Sequence, residues 1–157
     1  MKTSNTNISD KNLLDKLCHY NPYILLFTSI IILLLSNETK LILYYIIGYI
    51  LCIIIIKILK YSIKDERPYW NYEKSLYNMP SGHCMTVFYS IVFIYMYFQL
   101  NTTCNNIILL LYYIVGIFMI YNCIDGNYHT VDQTIIGTIC GIIFGYYYYK
   151  NINKNIN

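Results

Sequence analysis

The run LILYYIIGYILCIIIIKIL at residues 41–59 places a single charged side chain, Lys57, among nineteen positions. A stretch that long and that apolar matches a helix crossing the hydrocarbon core of a bilayer. Its isoleucines would favour a strand in water. In lipid, however, the backbone groups must be satisfied within the segment itself, which a helix achieves. A closed barrel would need polar residues at alternating positions, and these are absent. Comparable runs lie at 17–35, 84–100, 107–124 and 134–149, each of about 16 to 19 residues, near the minimum for a span. Short polar turns separate them at 36–40, 101–106 and 125–129, while 60–80 is a longer loop holding most of the mid-chain charge. The expected fold is all-α, an integral membrane, multi-pass helix bundle of about five transmembrane helices. A polar segment at 1–16 precedes the membrane domain at 17–149, and an Asn/Lys-rich tail at 150–157 is expected to be disordered.

Composition agrees with that class. Of 157 residues, 57% are hydrophobic and 12% charged, too few charges to cover a soluble domain of this size. Alanine is absent while tyrosine occurs 20 times, a bias typical of AT-rich codons. The formal charge of +3 gives no reason to expect a nucleic-acid partner. The mixed-charge start is not a cleavable signal peptide. The cysteines, at 18, 52, 84, 104, 123 and 140, are scattered singly without CxxC pairs or zinc spacing. They point neither to a disulfide framework nor to a metal site, and no cofactor motif is present.

The fifth run carries Gly137, Gly141 and Gly145, a stripe that lets two helix backbones approach closely. Packing inside the bundle is the favoured use, and a homodimer face is the alternative. Ionisable groups at a membrane edge are costly to hold there, which marks them as functional candidates. Lys60, Arg67 and Pro68 follow the second run, Pro80-Ser81-Gly82-His83 precede the third, and His129, Asp132 and Gln133 open the fifth. With five antiparallel spans, all three groups fall on one membrane face.

These residues resemble the type 2 phosphatidic acid phosphatase superfamily, whose motifs are KxxxxxxRP, PSGH and SRxxxxxHxxxD. Lys60 to Pro68 fits the first with correct spacing, and Pro80 to His83 fits the second unchanged. The third is partial, as Tyr128-His129-Thr130-Val131-Asp132-Gln133. The resemblance covers residues 57–145. Within the superfamily, the chain resembles dolichyl-diphosphate phosphatases in having Met before the second motif, as at Met79, and a YHTxxQ third motif. The resemblance implies a metal-independent lipid phosphatase acting on a lipid phosphate or diphosphate among membrane lipids. His129 would be the nucleophile forming a phosphohistidine, and His83 the acid that protonates the leaving group. In a eukaryotic cell, or a virus of one, it implies an endomembrane, first the endoplasmic reticulum with its lumenal face.

The residue types suit that chemistry. Lys60 and Arg67 supply charge for non-bridging phosphate oxygens, Arg as a planar fork. Ser81 and Gly82 start a helix whose amides can face an anion. Lys57 and Lys64 share the helical face of Lys60 and fit snorkelling or surface roles. His19 is assigned no role. Trp70 with Tyr69 and Tyr72 fits an interfacial belt or a headgroup lid. Asp132 and Gln133 both share a helical face with His129. Gln133 could orient its ring, and Asp132 could add charge or simply favour the helix dipole.

The family's Ser-Arg pair is replaced by Asn122 and Cys123, which removes a phosphate-binding arginine. Three functions therefore compete: a lipid phosphatase, a lipid headgroup phosphotransferase on the same scaffold, and a catalytically impaired relative acting as a membrane binding protein. Lysine and arginine counts favour a cytoplasmic site, with Lys2, Lys11, Lys16, Lys60, Lys64, Arg67 and Lys74 against Lys40, Lys150 and Lys154. Chemistry accounts for Lys60 and Arg67, so that asymmetry is discounted.

Overall fold

A computed structural model of the chain describes residues 8–65, 77–100, 105–126 and 128–156. Five helices account for them: α1 (Ile8–Leu35), α2 (Thr39–Ile63), α3 (Gly82–Leu100), α4 (Asn106–Asp125) and α5 (Val131–Ile156). Three of them, α2, α3 and α4, are long and apolar enough to cross a membrane. The apolar part of α1 is the shorter His19–Leu35, and α5 dilutes its isoleucines with glycine, threonine and a polar last stretch.

The helix ends follow from local chemistry. Asn37 adopts φ 58, and the amides of Asn37 and Glu38 donate to the carbonyls of Leu34 and Leu33, each at 3.0 Å. This pair of bonds closes α1 with a left-handed residue that asparagine tolerates. Lys64, at φ 56, ends α2 in the same left-handed conformation, its amide donating to the Lys60 carbonyl at 3.0 Å. The Asn105 side chain caps α4 by accepting from the Ile108 amide at 3.3 Å. At the far end, α5 continues through Ile156, with Ile152 buried. This corrects the expectation of disorder over 150–156: Ile152 stays on the packed face set by Gly145 and Tyr149, so the helix has a reason to continue.

The central helix is α3, which packs against each of the other four. It buries residues on most of its circumference, from Cys84 to Phe98. By contrast, α2 and α4 turn isoleucine and leucine outward, with Leu43, Ile50, Ile58, Ile107, Leu110 and Ile117 all exposed. So continuous an apolar exterior is unfavourable in water and natural against lipid tails.

Tyrosines form much of the core. Tyr45 stacks on Tyr89 at 5.6 Å and meets Phe93 edge-on at 5.0 Å. Their hydroxyls are used as well: Tyr45 bonds Ser90 at 2.7 Å, and Tyr89 donates to the Tyr45 carbonyl at 2.9 Å. Tyr148 likewise donates to the Tyr44 carbonyl at 2.8 Å, tying α5 to α2. An interhelical hydrogen bond replaces the hydrophobic drive that lipid surroundings remove.

The glycine stripe faces α3. A β-carbon at Gly137 or Gly141 would come within 2.5 Å of the Ser81 or Met85 carbonyl oxygen. At Gly145 it would meet Val92 and the Tyr89 carbonyl at 3.1 and 3.2 Å. The stripe is thus taken up by packing inside the chain. Between α2, α3 and α5 an apolar recess of about 320 Å³ is lined by Ile55, Leu59, Met85, Cys140 and Ile143. Gly137→Ala and Gly141→Ala should each destabilise the bundle by about 1–3 kcal/mol through overpacking against backbone. Gly145→Ala should cost less, and thermal unfolding in detergent gives the ranking.

Candidate active site

The C-terminus of α2, the N-termini of α3 and α5, and the C-terminus of α4 meet at one end of the bundle. Beyond the cap at Lys64, Asp65 takes the chain out of α2. Its carbonyl accepts from the Asn78 amide at 2.8 Å, so the two ends of the 60–80 loop are joined at their base. Asn78 is fully buried, and its side-chain amide donates to the Tyr128 carbonyl at 2.7 Å and to Gln133 Oε1 at 3.0 Å. A cis peptide bond at Met79-Pro80 then leads into Ser81.

Ser81 is the cap of α3. Its hydroxyl accepts from the Cys84 amide at 3.5 Å, and its carbonyl accepts from the Met85 amide at 3.1 Å. Its own amide donates to the Gln133 carbonyl at 3.0 Å. That bond changes the expected role of Ser81, because its N–H serves the contact with α5. The Gly82 amide, first in the helix, has no intrahelical acceptor by geometry. Among the described residues, a β-carbon at Gly82 would touch Ile56, at 3.5 Å.

The start of α5 is a capping box. The Gln133 amide donates to Thr130 Oγ1 at 3.2 Å, and Gln133 Oε1 accepts from the Thr130 amide at 3.1 Å. Reciprocal bonds of this kind belong to a T-x-x-Q sequence at a helix entry. The same oxygen lies 3.3 Å from His129 Nδ1, and Gln133 Nε2 donates to Asp65 Oδ2 at 2.6 Å. Gln133 is fully buried and His129 nearly so.

This arrangement fixes the chemistry of the imidazole. Thr130 N–H and the Asn78 amide can only donate, so the Gln133 atom facing them is the oxygen. A carboxylate facing the other atom requires it to be the nitrogen. His129 Nδ1 meets that oxygen and therefore carries a hydrogen, so the neutral ring has its lone pair on Nε2. The backbone supports the placement, since the amides of Tyr128 and His129 donate to the Cys123 carbonyl at 3.2 and 3.1 Å.

Of the residues expected from sequence, Ser81, Gly82, His83, His129 and Gln133 are brought to this end together. His83 is half-buried in the first turn of α3, its ring 6.0 Å from that of His19 on α1. Lys60 is half-buried in the last turn of α2, whereas Lys57 and Lys64 are exposed. Asp132 is exposed in the first turn of α5, and Gln133 takes the Nδ1 position instead. Arg67 and the aromatics Tyr69, Trp70 and Tyr72 lie outside the described residues. Cys123, standing where the family has arginine, is buried with its sulfur 3.7 Å from Cys84. Asn122 beside it is buried, and its amide nitrogen has no hydrogen-bond partner among the described residues.

Asp65 and Asn78 are residues of this end that sequence reasoning does not single out, whereas Thr130 is read there only as a letter of the third motif and His19 is given no role. The T-x-x-Q capping signature was available for Thr130. Asp65 sits two residues before Arg67 inside the first motif, which marks it as an acid close to the site. Asn78 and His19 carry no local signal.

A polar site at converging helix ends of a membrane bundle, with histidines entering from two separate helices, defines the class. Residues 41–157 match the model of the PAP2 superfamily, and the chain belongs to that superfamily, whose members are generally phosphatases. No curated protein and no solved structure matches the chain.

Removing the Asn78 amide takes one donor from the Tyr128 carbonyl and one of three from Gln133 Oε1. Asn78→Ala should therefore lower stability by about 1–3 kcal/mol. Asn78→Asp should cost more, because it turns an anion toward the Tyr128 carbonyl and Gln133 Oε1. Chemical denaturation in detergent compares the two.

Proposed function

We propose that this protein is a membrane lipid phosphatase that hydrolyses a polyprenyl diphosphate through a phosphohistidine on His129. The observation that carries the reading is the contact of His129 Nδ1 with Gln133 Oε1, an oxygen that also accepts from Thr130 and Asn78; it makes Nδ1–H the donor and gives the neutral ring its lone pair on Nε2. Membership of a phosphatase superfamily supports the reaction class. The Tyr128-His129-Thr130 and Gln133 pattern, which resembles dolichyl-diphosphate phosphatases, supports the substrate and an endomembrane location.

In this scheme His129 Nε2 attacks the terminal phosphorus as the bond to the bridging oxygen breaks. Protonated His83 gives its proton to that oxygen, and the lipid monophosphate departs. Water then attacks the phosphohistidine phosphorus and passes a proton to His83, releasing inorganic phosphate and restoring Nε2. Phosphoryl group and protons balance over the cycle with two histidines and water. Lys60, Arg67 and the Gly82 amide hold the non-bridging oxygens, where a charge-assisted or backbone donor counts most in the transition state.

A second reading is a binding protein that keeps the pocket without turnover. The burial of Cys123 against Cys84 favours it, since the third motif then contributes no cation.

One assay separates the two: purified protein in detergent with farnesyl diphosphate labelled on its terminal phosphate, in EDTA. The expected result is release of inorganic phosphate and an acid-labile label on the wild-type chain. His129→Ala should abolish both, and His83→Ala should slow release by roughly 10²- to 10⁴-fold. Activity that requires a divalent metal would rule out the phosphohistidine route. No release by the wild type, with release gained in Cys123→Arg, would leave the binding-protein reading standing.

A further inference from the structure

We propose that Asp65 is a positioning residue for His129, delivering through the Gln133 side-chain amide the negative charge that the third motif itself does not place on the imidazole. The inference rests on the reading of His129 as the nucleophile. Its physical basis is a chain of two bonds, from His129 Nδ1 to Gln133 Oε1 at 3.3 Å and from Gln133 Nε2 to Asp65 Oδ2 at 2.6 Å.

The amide conducts polarisation. Donation from Nε2 to a carboxylate is short and charge-assisted. It draws the amide toward its charge-separated resonance form, which makes Oε1 a stronger acceptor for Nδ1–H. When His129 Nε2 bonds to phosphorus, the ring becomes cationic, and a carboxylate one amide away stabilises it. The Gln133 side chain is a poor proton acceptor, so the Nδ1 proton remains on the histidine while the charge is balanced at a distance.

Orientation and charge are separable here. Gln133 Oε1 is already held by the Thr130 amide and by Asn78, at 3.1 and 3.0 Å. Turning the amide over would set its NH₂ against both donors. The amide is therefore aligned without help from Asp65, whose distinct contribution is its charge. The acids flanking this turn, Asp125 and Asp132, are exposed, and neither has a hydrogen bond to His129 among the described residues. Asp65 itself is held by its backbone, through the Asn78 amide and the left-handed turn at Lys64. In sequence it belongs to the first motif, so the charge reaches the third motif across the fold.

A charge swap tests this. Asp65→Asn keeps the shape of the contact and removes the charge. Asp65→Asn combined with Gln133→Glu restores a carboxylate, now directly against His129, with the new side-chain amide at position 65 donating to it. Both are assayed with farnesyl diphosphate, and the ¹⁵N imidazole signals of His129 are recorded on substrate-free protein in detergent. Asp65→Asn should lower kcat on the order of ten- to hundredfold, by analogy with groups hydrogen-bonded behind metal-ligating histidines. KM should stay within about twofold, and the double variant should recover most of the loss. The His129 ¹⁵N signals should move in Asp65→Asn and return toward wild type in the double variant.

Unchanged kcat and unchanged ¹⁵N signals in Asp65→Asn would overturn the relay. So would a double variant that folds, as judged by its melting temperature, yet recovers nothing, which is the behaviour of a merely structural tie. A wild type that releases no phosphate while its ¹⁵N signals still respond to Asp65→Asn upholds the relay and removes the phosphatase reading instead.

Discussion

A primary amide buried beyond the reach of water has to find both a donor and an acceptor inside the protein, and that constraint on Gln133 organises this end of the bundle. Its oxygen accepts from α5's own cap, from the loop that leads into α3, and from His129. Its nitrogen reaches Asp65 beyond α2, and its backbone carbonyl holds Ser81 at the head of α3. One residue thus joins all three sequence motifs. The tautomer of His129 follows from where those partners stand.

The same economy runs through the membrane part. Lipid offers no hydrophobic reward for bringing helices together, so the chain relies on close backbone approach and hydrogen-bonded tyrosines. Glycines on α5 let it sit against the carbonyls of Ser81 and Met85, and tyrosine hydroxyls bridge α2 to α3 and α5. An AT-rich codon bias that fills the sequence with tyrosine would look like noise in a list of composition. In the folded chain, several of those tyrosines have specific partners.

Much of this was legible in the sequence, for identifiable reasons. The helices were readable because apolar runs near twenty residues admit few alternatives in lipid. Their ends were less so: α1 begins at Ile8 and α5 reaches Ile156, each beyond its apolar run. The motif residues Lys60, Ser81, His83 and His129 were readable because family spacing fixes them. The choice between Asp132 and Gln133 was not, since three and four residues along a helix both point back toward His129. It took the capping box, which rotates Gln133 inward, to decide it. Asp65 and Asn78 were invisible because their partners lie far away in sequence. Ser81 was half-read: its place at the helix start was right, but its amide serves the neighbouring helix.

The contact between α3 and α5 has a mechanical meaning. Helices separated by side chains can slide or tilt as rotamers change, but helices in backbone contact cannot yield without rupture. One wall of the site, carrying His83 on one helix and His129 at the foot of the other, is therefore a stiff jaw. The opposite wall, α2, meets its neighbours through side chains, and the apolar recess beside Ile55 and Leu59 lies along that seam. The recess leaves α2, rather than the backbone contact between α3 and α5, as the side with room to shift, so the spacing between His83 and His129 is insulated from such a shift.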